Sequence, residues 1–446
     1  MPISVAIIGA GPAGFYTAEA LLSQGVDARI DMIERLPSPY GLIRAGVAPD
    51  HQSTKRVAHR FAETASRDSV AFFGNVEVGR EVSFEELQGL YDAVVLAVGA
   101  PRDRALGIPG EHLPGVYGSA GFVGWYNGHP DFRELGPRLD SRAAVVIGNG
   151  NVALDVARVL VKTPPEMVES DIADYAAQAI HAAPLTDVYI LGRRGPGEAR
   201  FTSAELRELG RLADCAPVVD PADLPAEADA GERGGISPAT GEIDREKRIR
   251  DKNIAILRSF TALSKDTSRK RVHFCFHAAP IEIVGHDRAE GLRYERTRVA
   301  QGRVIRTGVF GAIACGLVVA AIGYRATRIP GLPFDADRGL IPNDDGRVAP
   351  GVYAVGWAKR GPTGIIGSNR PDGIVCARQI DADLAGTSEG RPGRAGLERL
   401  LGQRRVRSIS FAEWQRLDSA EVAAGGGVAP RRKFTSLAEM LAALRG

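Results

Sequence analysis

Short apolar runs divided by glycine-rich turns set the pattern of the chain. Residues 5–8 are apolar, residues 15–22 repeat apolar positions at helical spacing, and residues 28–33 are a second mainly apolar run, broken by Arg29 and Asp31. Brief buried runs joined by an amphipathic segment predict strand, helix and parallel strand. The order recurs downstream, with strands predicted at 143–147 and 188–191 and a helix at 154–161 between them. Three further runs, 93–99, 317–323 and 352–356, each end in glycine. They read as edges where the chain leaves one domain and re-enters it, with crossings at 99–108 and 323–331.

The remaining pattern is less regular. Residues 37–51 carry three prolines and two glycines and predict a restricted loop, in which Leu42, Ile43 and Val47 need something to bury against. Residues 51–67 predict a basic helix, 76–78 a short strand, and 201–212 a helix bearing Ser203, Glu205 and Glu208. Residues 216–244 are rich in Pro, Gly, Asp and Ala and read as an exposed insertion. A basic helical run follows at 245–252, with Arg245, Arg248 and Lys252 close to one face. Alternating residues over 271–313 predict an antiparallel sheet. A glycine-dense stretch, 356–373, leads into an apolar helix at 374–384. The tail reads as a linker from 386, a helix at 411–422, a flexible 423–431 and a final amphipathic helix.

The turns inside the two repeated units carry chemistry. Gly9, Gly11 and Gly14 form G-x-G-x-x-G between strand and helix. The first glycine permits the tight turn, the second lets a pyrophosphate approach the backbone, and the third lets helix and strand pack closely. Glu34 ends the second strand about 20 residues further on, where a carboxylate accepts hydrogen bonds from an adenosine ribose. The later unit has Gly148, Gly150 and Ala153, and its second strand ends at Gly192-Arg193-Arg194. Arginine in place of the acid favours a ribose 2′-phosphate, so NADP is expected there over NAD. The fold class is therefore α/β, with two nested Rossmann-like dinucleotide-binding domains. The boundaries fall at 1–104, 105–322 and 323–446, the middle span being an insertion in a discontinuous first domain.

Bulk properties narrow the alternatives. A length of 446 residues suits two or three domains, and a net charge of +2 gives no global signal for nucleic acid or another polyanion. Cys215, Cys275, Cys315 and Cys376 form no C-x-x-C pair. That pattern removes the redox dithiol and points to a reducing compartment, with the cytoplasm expected. No apolar run is long enough for a membrane span. The first strand begins almost at Met1, so no leader is expected.

Residues 5–14, 37–51, 148–155, 192–206 and 353–370 resemble the adrenodoxin reductase family of ferredoxin–NADP reductases. The distinctive blocks are PYGLIRAGVAPDH, IGNGNVALD, GRRGPGEARFTSAELREL and YAVGWAKRGPTGIIGSN, and the likeness extends to FVGWYNGHP and the tail near Trp414. The resemblance implies FAD in the first unit and NADPH in the second. Ala13, Glu34, Leu42 and Val78 would contact FAD, with Trp357, Gly364, Ile365 and Ile366 around the flavin. Asn149, Gly150, Asn151, Val152, Arg193, Arg194, Glu205 and Gly364 would contact NADPH. His51 and Asp155 match the family's polar pair near the redox centre.

The implied reaction passes a hydride from NADPH to flavin N5 and then single electrons to an iron–sulfur ferredoxin, or the reverse. The implied partner is that ferredoxin, docked near Arg245, Arg248 and Lys252, and through it a cytochrome P450 or another ferredoxin-dependent enzyme. The early first strand suggests the bacterial stand-alone type. A flavoprotein with another acceptor, monooxygenase-like or diaphorase, and a non-catalytic nucleotide-binding protein stay open as alternatives.

Overall fold

The computed structural model of the chain describes residues 2–225, 241–263, 269–385 and 390–445, and the side chains of 241–245 lie outside that description. The chain divides into two compact units, one of Met1–Arg102, Asn127–Arg133 and Gly323–Gly446, the other of Asp103–Tyr126 and Glu134–Ile322. The short Asn127–Arg133 segment groups with the first unit, although the sequence places it within the inserted span. Its contacts give the reason. Arg35 holds Asp131 with both guanidinium nitrogens, Lys433 donates to the Asn127 carbonyl at 3.0 Å, and Arg133 pairs with Glu439.

The first unit is built on a six-stranded sheet in the order Arg347–Ala349, Val352–Ala354, Ala93–Leu96, Ile3–Ile8, Ala28–Ile33, Val70–Phe73. All neighbours are parallel except the first pair. Side chains alternate across each strand, so Val5, Ile7 and Val95 enter one core cluster while Ala6, Ile8, Val94 and Leu96 enter the other. Burial on both faces explains why Val5–Ile8 and Ala93–Leu96 read as continuous apolar runs. On one face the helix Pro12–Ser23 crosses the helix Asn369–Leu384. At the crossing a Cβ on Gly373 would lie 2.6 Å from the Tyr16 carbonyl oxygen, so only glycine permits that approach.

The second unit holds a parallel sheet ordered Val116–Gly118, Leu317–Ala320, Ala143–Ile147, Asp187–Leu191, Lys270–Cys275, Cys215–Val219. A three-stranded antiparallel sheet, Ala278–Val284, Gly291–Ala300 and Arg303–Ala314, packs Ile283, Leu292 and Ile313 against Val145, Ile147 and Leu191.

Several local expectations change. The strand expected at 76–78 is instead Val70–Phe73, because Val76 turns away to bond the Glu34 carbonyl and only a bridge joins Val78 to Val82. Residues 42–45 form a helical turn inside the proline-rich loop, and the basic helix splits into Gln52–Lys55 and Val57–Ala65. The antiparallel region starts later than expected, since Lys270–Cys275 pairs in parallel with both of its neighbours. Residues 215–223 are no insertion: Cys215–Val219 is a buried edge strand, followed by a 3-10 turn, and 226–240 lie outside the described residues. The helix expected at 201–212 spans Ser203–Leu209, and the one expected from 374 begins at Asn369. The presumed linker carries the helix Gly393–Gln403, whose Leu397 and Leu401 are buried despite the surrounding glycines and arginines. Phe411–Ala424 and Leu437–Ala443 each start with a capping box, from Ser410 with Glu413 and Ser436 with Glu439. Among the described residues, no helix is long and apolar enough to cross a membrane.

Candidate functional site

Each unit forms a cradle where a central strand turns into a helix, Ile3–Ile8 into Pro12–Ser23 in the first and Ala143–Ile147 into Asn151–Val161 in the second. Gly9 has φ +103°, and a Cβ there would sit 2.5 Å from the Ala97 carbonyl oxygen. Gly148 repeats this at φ +147°, with the Ala321 oxygen 2.3 Å away. Both positions need glycine for the turn itself. At Gly14 a Cβ would lie 2.2 Å from the Gly9 oxygen, the close helix-to-strand packing expected of the third glycine. Ala153 at the equivalent place is fully buried.

The middle glycines differ in kind. A Cβ on Gly11 would meet only the Gly41 Cα at 3.9 Å, and one on Gly150 would meet no atom within 4 Å. The protein's own packing does not demand glycine at either position. Each is the N-cap of a helix, Pro12–Ser23 or Asn151–Val161, with no side-chain cap bond. Bare backbone at an uncapped helix N-terminus is the arrangement that receives a pyrophosphate.

Around the first cradle, Glu34 accepts the Ala10 N–H at 2.9 Å and the Leu36 N–H at 3.1 Å. Burial pushes its carboxyl above the usual range against the opposing pull of those two N–H groups. Tyr40 donates its N–H to the Ala10 carbonyl at 2.7 Å, which lays the loop beside the glycines. Ile43 of that loop is buried, whereas Leu42 is 44% exposed. Ala13 faces Gly356, where a Cβ would come within 2.6 Å of the Ala13 Cβ. Trp357 follows, stacked on Tyr324 with centroids 5.7 Å apart and its indole N–H on the Thr363 carbonyl. Gly364 takes φ +86°, and Ile365 is 66% exposed. Asp372 accepts the Gly356 N–H and pairs with Arg360, closing this turn on itself. Val78 is half-buried, and so is His51, which caps Gln52–Lys55. The Ser38 hydroxyl is buried without a hydrogen-bond partner.

The second cradle has more unmatched polar atoms. Both side-chain amide atoms of Asn149 are buried and unbonded where the group packs over Gly192, and Arg194 Nε is in the same condition. Buried polar atoms without partners are costly, about 1–3 kcal/mol each, and call for a partner such as a ligand or an ordered water. Asn151 accepts the Thr202 N–H at 2.8 Å and so ties the cradle helix to the helix Ser203–Leu209. Arg193 is exposed, and its carbonyl is held by Thr297. Val152 is half-buried beside Gly150.

Two residues that the sequence reading passed over belong here. Arg158 is fully buried and meets Asp155 at 2.8 Å, Glu205 at 3.3 Å and Glu208 at 3.6 Å. The i,i+3 spacings of Asp155 with Arg158 and of Glu205 with Glu208 were the available signal. His277 adopts φ +53° and sets its ring against Gly195 with Nδ1 buried and unbonded. Nothing local in the sequence foretells that conformation.

The open glycine at each cradle, the acid at the first and the unbonded amide and arginine at the second fit FAD and NADPH respectively. Burial pushes Cys215, Cys315 and Cys376 up to about 12 and Cys275 to about 11, and all four are free.

Comparison with known proteins agrees. Residues 3–170 match the family described as pyridine nucleotide-disulphide oxidoreductases. The chain is 41% identical to an NADPH-ferredoxin reductase FprA of Mycobacterium leprae, over 98% of this chain and 97% of that one. It is 42% identical to human mitochondrial NADPH:adrenodoxin oxidoreductase, over 98% of this chain and 91% of that one. Mycobacterium tuberculosis FprA, solved in complex with NADPH, superposes with a TM-score of 0.93 at 40% identity and full coverage of both chains. The chain therefore belongs to the adrenodoxin reductase family of NADPH–ferredoxin reductases.

Proposed function

We propose that this chain is an FAD-dependent NADPH–ferredoxin reductase, with FAD on the first cradle and NADPH on the second. The observation that carries the division is the pairing of Glu34 with one open glycine, and of Asn149 and Arg194 with the other. Bound FAD supplies the redox chemistry, taking a hydride from NADPH and giving electrons singly to an iron–sulfur carrier. The protein's part is to bind and orient. Glu34 accepts ribose hydroxyls, while Gly9, Gly11 and Gly14 admit the pyrophosphate. Ala13, Leu42 and Val78 contact FAD, and Trp357, Gly364, Ile365 and Ile366 surround the flavin. Asn149, Gly150, Asn151 and Val152 receive the second pyrophosphate, and Arg193 and Arg194 meet the 2′-phosphate. Glu205 and Asp155 are held in place by the buried Arg158 guanidinium. We further assign His51 and Asp155 as polar residues that serve the redox step.

The carrier we assign is an acidic ferredoxin, steered to the helix Gly241–Phe260. Arg248, Arg250 and Lys252 are exposed there, and Arg245 lies on the same helix with its side chain outside the described residues. A cytochrome P450 or a similar ferredoxin-dependent enzyme follows downstream, in the cytoplasm. Changing Arg248→Glu and Lys252→Glu together tests the docking face. Ferredoxin-linked cytochrome c reduction should fall about tenfold at low salt, with NADPH-ferricyanide reduction unchanged. Equal loss in both assays contradicts the assignment.

A further inference from the structure

The C-terminal stretch grips the loop beside the first cradle with a buried charge cluster. Glu421, on the helix Phe411–Ala424, is fully buried. Its carboxylate accepts both terminal nitrogens of Arg44, one at 2.7 Å, and the Phe434 N–H at 2.8 Å, and Arg431 lies 3.5 Å away. The Arg44 guanidinium sits 5.0 Å over the Trp414 ring, and Trp414 meets Tyr40 edge-on with centroids 6.0 Å apart. Lys433 donates to the Arg44 carbonyl at 3.1 Å. Arg44 is thus held through its guanidinium and its carbonyl, and Tyr40 through its ring, from residues about 370 to 390 positions later in the chain.

That segment carries strain. Tyr40 has φ 81° and Gly41 φ 48°, and Gly41 is the neighbour that faces Gly11. A bulky residue at positive φ persists only when its surroundings enforce it. A buried ion pair is a weak source of net stability, because desolvation offsets most of its attraction, but it is directional. We propose that Glu421 is a positioning residue for FAD: through Arg44 it holds the strained Tyr40–Gly41 backbone in the conformation that bounds the Gly11 cradle. The inference rests on the reading that this cradle takes FAD.

The test compares Glu421→Gln with Asp31→Asn. Asp31 is an equally buried acid in the same unit, bonded to Tyr91 and Arg394, and it ties the helix Gly393–Gln403 to a strand rather than to the loop. The FAD release rate of the holoprotein is followed by recovery of flavin fluorescence on dilution, together with visible circular dichroism and thermal unfolding in excess FAD. Glu421→Gln should release FAD at least about tenfold faster and alter the flavin dichroism. Asp31→Asn should lower the melting temperature with release and dichroism as in the parent. Equal release from the parent and Glu421→Gln, or equally fast release from both variants, overturns the proposal. If Glu421→Gln does not fold, Lys433→Met serves, since it removes one amine, shared by the Arg44 and Asn127 carbonyls, and leaves the buried Glu421–Arg44 pair in place. Faster release with altered dichroism from Lys433→Met supports the proposal, and parent-like release contradicts it. A parent protein that binds no FAD would sink the cofactor assignment instead, before the variants are compared.

Discussion

The two cradles are alike in backbone and opposite in charge. Gly9 and Gly148 are both glycine because a carbonyl oxygen occupies the space of a Cβ, and Gly11 and Gly150 are both glycine although the protein leaves that space open. Past this shared frame the strands end differently, with Glu34 bonded to the Ala10 N–H in one unit and with Arg193 and Arg194 in the other. The first cradle is nearly satisfied within itself, whereas the second keeps Asn149 and Arg194 Nε unbonded. The comparison separates two features: the glycine frame is common to both cradles, while the charge at the strand end is what differs.

The largest effect should come from breaking the shared frame. Gly148→Ala forces a Cβ against the Ala321 oxygen, with a strain and overpacking cost of about 2–4 kcal/mol, so the second unit should melt earlier and NADPH binding should fall below detection. Parent-like melting by calorimetry would show that the turn relaxes. Next in size is the loss of charge. Replacing Arg193 and Arg194 by Ala should raise the KM for NADPH between about tenfold and one-hundredfold and leave that for NADH nearly unchanged. An unaltered preference would place the 2′-phosphate elsewhere.

Gly11→Ala sharpens the contrast, because its Cβ meets only one atom, at 3.9 Å. Apoprotein stability in urea should stay within about 0.5 kcal/mol of the parent while FAD affinity drops about tenfold. Parallel losses of stability and affinity would mean that the glycine serves packing after all.

The smallest effect is in pH. Burial raises the Glu34 carboxyl in the FAD-free fold, so its contribution to stability is complete below the ordinary glutamate value of about 4.3 and is lost as pH rises through the raised value. Relative to Glu34→Gln, the apoprotein should lose stability on going from acid toward neutral pH. Parallel stability curves for the two proteins would contradict this.

Much of the site was legible because it is local. Gly9, Gly14 and Glu34 lie within one β-α-β unit, where spacing alone fixes which face and which strand end each occupies. The position of the arginine pair just past the strand Asp187–Leu191 was legible for the same reason. Arg158 was not, since its burial depends on a helix about 50 residues away, and neither was Glu421, whose partner Arg44 is 377 positions distant. The helix Gly393–Gln403 was hidden by its glycines and arginines, a composition that local propensity reads as linker but that Leu397 and Leu401 overrule by burial.

The most direct test of the division between the cradles is an anaerobic titration of the purified yellow protein with NADPH and, separately, with NADH, following the flavin absorbance. Rapid bleaching by NADPH at a concentration at least about tenfold lower than NADH requires is the predicted result. A flavin bleached equally by both nucleotides would contradict the assignment of Arg193 and Arg194, and with it the selection of nucleotide by strand-end charge.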